Sequence, residues 1–439
     1  MNGIVHIGTG AFHRAHQAVY TQDATTSPGT DWAITGISLR SAQVADALNA
    51  QNGRYTLVIR SSEGTQYQVI NSISGVLAAQ RGMAAIHAAL ARPETRIISL
   101  TITEKGYAPP FGPDSAITLL IEAFKTRKAN GLNGVTLLSC DNLSDNGAVL
   151  QKAVMEASND AALSGWITEH VSFPSTMVDR ITPATTPELL TEVATQTGWA
   201  DQVPVVTESF SQWVIQDSFV QGRPLWETAG AQLVSDVAPY EKMKLRMLNG
   251  AHSMLAYAGH LAGKTYVRDV MADPILAQAV ARHMDAAAAT LDSRANLDPA
   301  GYRDALLMRF RNPHIAHETY QIAMDGSQKM PQRIFEPAQE AAGQDQDLSA
   351  FAFATAAWAK YLRGIAQTGV NFDLRDPRED ELAKLPNDPK DRIDALFTVP
   401  DLVPSQLGTH EDFKALVVKN LKKLDDSGVI VSLKENLST

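Results

Sequence analysis

The chain has 439 residues, of which 44% are hydrophobic and 20% are charged, as is typical of globular proteins. This length exceeds one ordinary hydrophobic core, so we expect two domains. The formal net charge of −10 argues against a surface for nucleic acid or an anionic membrane, and no apolar run could span a bilayer. A single cysteine, Cys140, excludes an internal disulfide. We therefore expect a cytoplasmic protein, a monomer or small homo-oligomer, that binds a small molecule.

The N-terminal half alternates short apolar stretches with amphipathic ones. Predicted strands cover residues 4–7, 32–39, 96–103, 135–139 and 204–207. Predicted helices cover residues 13–26, 83–91, 116–129 and 147–156. Residues 55–60 and 66–70 are predicted to form an antiparallel hairpin with Gly64 in the turn. The alternation implies a largely parallel sheet with helices on both faces, which is a doubly wound α/β fold.

Further along, alanine-rich and leucine-rich helical stretches dominate the sequence. Predicted helices cover residues 241–262, 274–291, 348–366 and 410–424. Residues 373–391 are charged and contain three prolines, so they are predicted to be an exposed connection. We therefore predict an α/β protein with a dinucleotide-binding Rossmann-like domain over residues 1–235. A mainly α-helical substrate domain is predicted over residues 236–439.

A glycine-rich turn, Gly8-Thr-Gly-Ala-Phe-His13, lies between the first predicted strand and the first predicted helix. Gly8 would allow a tight turn, and Gly10 would let backbone N–H groups approach a pyrophosphate. His13 replaces the third glycine of the usual pattern, so helix and strand are expected to pack differently there. A strand–helix turn without a nucleotide is the alternative. The predicted cofactor contacts of the turn are Ile7, Gly8, Thr9, Gly10, Ala11, Phe12 and His13.

The second predicted strand ends in Leu39-Arg40-Ser41 and not in the acidic residue that would bind the ribose hydroxyls of NAD. Arg40 is either a ligand for the 2′-phosphate of NADP or an ordinary surface arginine. We predict NAD as the cofactor and leave NADP open.

Residues 241–252 are predicted to form a helix with an unusual polar face. At about 100° per residue, an arc of about 140° carries Glu241, Lys244, Asn249 and His252. A carbonyl that receives a hydride becomes an alkoxide, which needs hydrogen-bond donors and a proton. An amide and an ammonium supply both, so Lys244 is the predicted acid/base. The alternatives are an amphipathic helix whose lysine reaches solvent and a hydrogen-bonded interior histidine.

A second amide, Asn142, ends the run Ser139-Cys-Asp-Asn142 after a predicted buried strand. Open α/β sheets bind ligands at the carboxyl ends of their strands, so Asn142 is a candidate second donor to the same oxygen. An asparagine in a turn is the alternative. Cys140 is not a predicted nucleophile because no base is linked to it by pattern.

At these residues the chain resembles the polyol-specific long-chain dehydrogenases, which include mannitol 2-dehydrogenase, the arabinitol dehydrogenases and fructuronate reductase. The resemblance spans nearly the whole chain. The shared blocks are Gly8-Thr-Gly-Ala-Phe-His-Arg-Ala-His-Gln17, Ser99-Leu-Thr-Ile-Thr-Glu-Lys-Gly-Tyr107, Ser139-Cys-Asp-Asn142, Met177-Val-Asp-Arg-Ile-Thr-Pro183 and Lys244-x4-Asn249-x2-His252.

This resemblance implies a role for each polar residue of the predicted site. Lys244 would be the catalytic acid/base, and Asn142 and Asn249 would bind the oxyanion. His252 would position the substrate, and Glu241 would belong to a proton path. The mechanism would need no metal. Thr103 and Glu104, in the second shared block, are further predicted cofactor contacts.

Within the family, the blocks 104–107, 243–250 and 321–333 favour fructuronate reductase, which is also called D-mannonate oxidoreductase. A uronate needs a cation for its carboxylate. The predicted candidates are Lys105, Lys329 and Arg333, with surface charge as the alternative for each. We therefore predict NAD-dependent interconversion of D-fructuronate and D-mannonate. Mannitol 2-dehydrogenase and arabinitol dehydrogenase activities are the alternatives.

Three other protein classes are weaker matches. Tyr240 and Lys244 fit the Tyr-x3-Lys pattern of short-chain dehydrogenases, but that pattern lies inside the nucleotide-binding domain, so we interpret Tyr240 as a coincidence. A zinc-dependent alcohol dehydrogenase is poorly supported by one cysteine, although histidine and acidic ligands remain. A nucleotide-binding sensor would need no proton donor on the lysine helix.

Overall fold

The computed structural model describes residues 2–24, 32–366 and 369–437. The chain divides into two compact units, Met1–Ala238 and Pro239–Thr439. Strands and helices alternate in the first unit, and the second unit is helical. The predicted α/β fold class with a mainly helical C-terminal part is therefore confirmed.

The strands of the first unit are β1 (Asn2–Ile7), β2 (Trp32–Ser38), β3 (Tyr55–Ser61), β4 (Gly64–Ile70), β5 (Ile73–Ala78), β6 (Thr95–Leu100), β7 (Val135–Ser139), β8 (Val171–Ser172), β9 (Thr176–Asp179), β10 (Val205–Glu208), β11 (Gln212–Gln216) and β12 (Gln232–Val234). Its helices are α1 (Ala11–Ala15), α2 (Gln17–Ala24), α3 (Gln43–Ala50), α4 (Ala84–Leu90), α5 (Ala116–Ala129), α6 (Asn146–Ala157), α7 (Ala161–His170) and α8 (Pro187–Thr197). Short 3₁₀ turns span Ala79–Arg81, Glu104–Tyr107 and Trp226–Ala229.

The main sheet has six parallel strands in the order β5-β2-β1-β6-β7-β8. This is the strand order of the Rossmann fold, in which the chain reverses direction across the sheet between its first and fourth strands. Apolar side chains form separate buried clusters, and helices cover the sheet. Because the order reverses between β1 and β6, their carboxyl ends border the crevice where open sheets bind ligands.

Two small sheets complete the first unit, in the orders β10-β3-β4 and β12-β11-β9. The predicted hairpin is confirmed as β3 and β4, which are antiparallel and closed by the pair Ser61 and Gly64. Strand β10 confirms the predicted strand at 204–207. The sequence did not predict β5, β8, β9, β11 or β12, which are short and lack a clear apolar alternation.

Two predicted elements of the first unit were wrong in extent. The helix predicted over residues 13–26 is divided into α1 and α2, because His16 has non-helical dihedral angles of −127° and −94°. Residues 25 and 26 lie outside the described part of the chain. The strand predicted over residues 96–103 ends at Leu100, because Thr103 adopts a positive φ of 67° and a 3₁₀ turn follows.

The helices of the second unit are α9 (Ala238–Met243), α10 (Gly250–Leu261), α11 (Val267–Ala272), α12 (Pro274–Ala289), α13 (Pro299–Phe310), α14 (Thr319–Ala323), α15 (Gly326–Met330), α16 (Glu336–Ala342), α17 (Ser349–Tyr361), α18 (Glu379–Leu382), α19 (Pro389–Phe397), α20 (Ser405–Gly408) and α21 (Glu411–Leu437, kinked at Gly428). Two π-helical segments, Lys244–Asn249 and Pro331–Phe335, lie between α-helices. Helix α10 is central, since it packs against α12, α14 and α17. No described helix is both long enough and apolar enough to pass through a membrane.

Candidate active site

The glycine-rich turn is built around two glycines with different requirements. Gly8 has a φ of 104°, and a Cβ there would lie 2.2 Å from the carbonyl oxygen of Thr101, so no other residue fits without moving the end of β6. Gly10 precedes α1, and a Cβ there would meet only the Gly8 oxygen, at 3.8 Å. The backbone is therefore held against the sheet at Gly8 and left open at Gly10. This shape fits the pyrophosphate of a dinucleotide.

Side chains beside the glycines point inward and support the turn. The Thr9 hydroxyl donates to the Ile37 carbonyl at 3.3 Å, and Thr9 is 3% exposed. The buried His13 ring stacks on His6 of β1, with the ring centroids 3.4 Å apart. The His13 imidazole therefore occupies the position of the third glycine. As expected, helix and strand pack differently there, through the stacked rings of His13 and His6. Contacts from Thr9 and His13 to a cofactor would come from their backbones.

A buried polar network lies under the turn. The two ring nitrogens of His6 lie 2.8 Å from the Ser99 hydroxyl and 2.9 Å from the Thr101 hydroxyl. Ser99 donates in turn to the Gln17 side chain at 2.7 Å. Burial lowers the pKa of His6 to about 3, so this imidazole is neutral at physiological pH. This network was not predicted from the sequence, although His6 is a polar residue inside an apolar strand.

The segment after β6 carries three predicted contacts, Thr103, Glu104 and Lys105, and all three are exposed. The Asp141 carboxylate accepts hydrogen bonds from the Ile102 and Thr103 amides, each at 2.9 Å, and from the Tyr107 hydroxyl at 2.6 Å. The carboxylate therefore fixes this segment against the end of β7. A role for Asp141 was not predicted from the sequence, although it directly precedes Asn142.

Asn142 is exposed just beyond the carboxyl end of β7, beside the carboxyl end of β6 in the same sheet. Arg40 is exposed after β2, and its carbonyl accepts a hydrogen bond from the Gln80 side chain at 2.9 Å. Both predicted residues thus lie at the ligand-binding edge of the sheet.

The predicted α-helix over residues 241–252 was wrong in its central part. Lys244–Asn249 is π-helical, and the Gly250 N–H donates to the carbonyl of Leu245, five residues earlier. A π turn contains more residues than an α turn, so spacing at 100° per residue does not describe this face. Lys244 is 8% exposed, and Asn249 and His252 are half-buried. Segments of this kind occur frequently at functional sites.

Neighbouring cations on this helix are bound elsewhere. Lys242 donates to Glu340 at 3.0 Å, and Arg246 donates to both oxygens of the same carboxylate. Together these contacts hold the lysine helix against α16. Lys242 therefore has a structural role in this packing.

The second π-helical segment packs against the first. A Cβ on Gly250 would lie 2.9 Å from the carbonyl oxygen of Arg333, so the close approach depends on glycine. The Arg333 guanidinium donates to the Ser253 hydroxyl at 3.2 Å and, more weakly, to the Asn249 carbonyl at 3.5 Å. A predicted substrate cation and a predicted oxyanion donor are therefore neighbours.

His252 lies among cations. Its ring stacks on Phe310 at 4.4 Å and meets the edge of His317 at 5.3 Å. Burial lowers the pKa of His252 well below its ordinary value, and the charges of His317, Arg309 and Arg333 lower it further. His252 is therefore a neutral hydrogen-bonding group at physiological pH.

Lys329 is the other predicted substrate cation of the helical unit. Its ammonium donates to the carbonyls of Ile322 and Met324, and Asp325 lies 3.8 Å away. Burial lowers the pKa of Lys329, and the charge of Arg333 lowers it further. We define the cationic cluster as Arg309, Lys329 and Arg333, which lie around His252 and His317. In the described part of the chain, no group of three or more His, Cys, Asp or Glu side chains could hold a metal ion.

A sheet in the Rossmann order and a glycine turn shaped for a pyrophosphate are the features of a dinucleotide-binding unit. Residues 2–228 match the mannitol dehydrogenase Rossmann domain, and residues 236–425 match the mannitol dehydrogenase C-terminal domain. The chain belongs to the mannitol dehydrogenase family, which confirms the predicted family and the predicted enzyme class.

Three relatives show the range of the family. An uncharacterized oxidoreductase, YeiQ, of Escherichia coli K12 is 42% identical over 437 residues, covering 93% of this chain and 89% of that protein. The D-mannonate oxidoreductase of the same organism is 39% identical over 454 residues, covering 97% and 93%.

The solved mannitol 2-dehydrogenase of Pseudomonas fluorescens, a ternary complex with NAD and D-mannitol, is 37% identical. That similarity covers 100% of this chain and 94% of that chain, with a TM-score of 0.78. The prediction of NAD as the cofactor agrees with this complex.

Proposed function

We propose that the protein catalyses the NAD(H)-dependent interconversion of D-fructuronate and D-mannonate. The observation that carries this proposal is the cationic cluster, in which Arg309 and Arg333 lie near the candidate substrate-positioning His252 and Lys329 lies near Arg333. The similarity to a D-mannonate oxidoreductase supports it. The lone buried cysteine, Cys140, is compatible with a cytoplasmic enzyme.

In this proposal the turn from Ile7 to His13, with the exposed Thr103 and Glu104, holds the nicotinamide cofactor. When bound as NADH, that cofactor supplies the hydride for the substrate ketone. Arg40 lies where the adenosine ribose binds in this fold, so either NAD or NADP is compatible with the site.

The acid/base chemistry is assigned to the lysine helix. Lys244 donates a proton to the substrate oxygen as the ketone is reduced, and it accepts that proton in the oxidative direction. Lys244 is 8% exposed, so bulk water has little access to its ammonium. Asn142 and Asn249 donate N–H groups to the same oxygen, and Glu241 passes the proton between Lys244 and solvent.

The substrate carboxylate is assigned to Lys329 and Arg333, with the exposed Lys105 as a further candidate. Arg333 keeps part of its guanidinium free of the two contacts made by its Nη1. His252, being neutral, can both donate to and accept from a substrate hydroxyl.

Steady-state kinetics with NADH tests the substrate assignment. We expect kcat/KM for fructuronate to exceed that for fructose by about 10- to 100-fold, the range for hydrogen bonds to a charged group. Lys329→Gln should reduce this ratio, and the exposed Lys152→Gln should leave it unchanged. Each ratio compares the kcat/KM values of two substrates in the same variant. A general loss of folded enzyme lowers both values equally and therefore leaves the ratio unchanged. An unchanged ratio in Lys329→Gln would contradict the carboxylate site.

Mannitol/fructose interconversion is the second candidate, and the similarity to a mannitol 2-dehydrogenase along the full chain favours it. A higher kcat/KM for fructose than for fructuronate would establish it. Arabinitol oxidation belongs in the same panel. Binding of NADH without turnover of any substrate would instead indicate a sensor.

A further inference from the structure

Asp141 is a buried carboxylate with an unusual set of partners. One oxygen accepts from the Thr103 amide, and the other accepts from the Ile102 amide and the Tyr107 hydroxyl. All three donors belong to residues 101–107, which follow β6. The last residue pair between β6 and β7 is Leu100 and Ser139. Beyond it, the Asp141 side chain links the segment that follows β7 to the segment that follows β6.

The segment needs such a restraint because its backbone is strained. Thr103 has a φ of 67° and a ψ of 162°, a conformation that is unfavourable for a residue with a side chain. Its N–H is fixed by Asp141, and the exposed residues Glu104 and Lys105 follow it directly. Burial and the neighbouring Asp141 raise the pKa of Tyr107 well above its ordinary value, so the Tyr107 hydroxyl keeps the proton that it donates.

The main chain of Asp141 is fixed on its other side. Its carbonyl accepts from the Leu143 N–H at 2.9 Å and from the Asn146 amide at 3.0 Å. Asn146 is fully buried, and its amide also donates to the Ser139 and Thr176 carbonyls. The residues that flank the exposed Asn142 are therefore held in place, while Asn142 itself is presented to the ligand-binding edge.

We propose that Asp141 is a positioning residue that holds the 101–107 segment and Asn142 at a fixed spacing. Its side chain restrains the segment, and its main chain restrains Asn142. A carboxylate suits this task because it only accepts hydrogen bonds, whereas the NH₂ group of an amide would face one of the three donors. The consequence for catalysis rests on the proposed role of Asn142, but the restraint of the segment does not.

Hydrogen–deuterium exchange of the protein without cofactor tests the restraint directly. In Asp141→Asn, we expect amide exchange in residues 101–107 to rise by about tenfold or more, because local opening becomes easier. Asp160→Asn is the matched control, since Asp160 caps α7 and asparagine caps equally well. Exchange that is unchanged in Asp141→Asn would overturn the proposal.

Kinetics and cofactor titration separate positioning from simple structural support. Asp141→Asn should lower kcat by about 10- to 100-fold at a temperature where the variant is folded, as misplacement of reacting groups does. Its affinity for NADH, measured by fluorescence titration, should also fall. Wild-type kcat and NADH affinity together with a lower Tm would reduce Asp141 to a structural residue and overturn the proposal.

Tyr107→Phe removes one donor and leaves both backbone hydrogen bonds, so it keeps the proposal falsifiable even when Asp141→Asn fails to fold. We expect faster exchange in residues 101–107 for this variant, though less than for Asp141→Asn, and unchanged exchange would contradict the proposal. In the double variant the two effects should be less than additive, because both remove the same contact. If fructuronate is not a substrate, exchange and NADH titration still decide the role of Asp141.

Discussion

The glycine turn and the lysine helix use polar residues in opposite ways. In the turn, Thr9 and His13 are buried and support a backbone that is shaped for a ligand. In the helix, the backbone leaves regular α geometry, and Lys244 and Asn249 are the groups assigned to chemistry. Changes in the turn should therefore act on cofactor binding, and changes in the helix should act on turnover.

The largest expected effect is the loss of turnover in Lys244→Ala. Without the proton donor, we expect kcat to fall by about 10²- to 10⁴-fold, the range for a general acid/base. NADH affinity, measured by fluorescence titration, should be retained. Lys242→Ala is the matched control, because Lys242 is bound to Glu340, and its kcat should stay within a few-fold of wild type. A similarly small effect of Lys244→Ala would refute its role.

In the turn, Gly8→Ala should act mainly on binding. The added Cβ would collide with the Thr101 carbonyl, and φ is positive, so we expect NADH affinity to fall by about 10- to 100-fold. Gly165→Ala, in the open surface of α7, should instead stabilise the protein by about 0.5–1 kcal/mol. Wild-type NADH affinity in Gly8→Ala would show that the turn does not hold the cofactor.

In the helix, Gly250→Ala should separate the two π-helical segments. Its Cβ would lie 2.9 Å from the Arg333 oxygen and 3.2 Å from His283 Nε2, so we expect a loss of about 1–3 kcal/mol in unfolding free energy. Denaturant unfolding measures the loss, and kcat should fall more than NADH affinity. A gain in stability like that at Gly165 would contradict the close packing.

His6 should make the stability of the protein depend on pH. Its pKa is lowered to about 3 by burial, so only the unfolded chain binds this proton between pH 6.5 and about 3. Stability is therefore lost as the pH falls through this window, by about 1.4 kcal/mol per pH unit for one histidine. The slope, from urea unfolding at several pH values, should be shallower in His6→Phe. Equal slopes would contradict this assignment.

Features set by local sequence were predictable. The apolar runs of β1 and β7, the hairpin closed at Gly64 and helix α5 follow from periodicity and turn residues alone. Features set by contacts between distant residues were not. Thr103 turns the chain because Asp141, 38 residues later, holds its N–H. The π-helical segment at Lys244–Asn249 packs against residues 331–335, which no local pattern links to it.

The extra residue in the turn that contains Lys244 has a consequence for protein engineering. Removing one residue between 245 and 248 would let the helix relax to regular α geometry, and because a π turn holds about one residue more than an α turn, the downstream helix would keep its orientation. The face of α10 that meets α12, α14 and α17 would be retained, and the separation of Lys244 and Asn249 along the helix would shorten by one residue. A gap in this stretch of a sequence alignment therefore marks the loss of the π turn and not a rotation of α10.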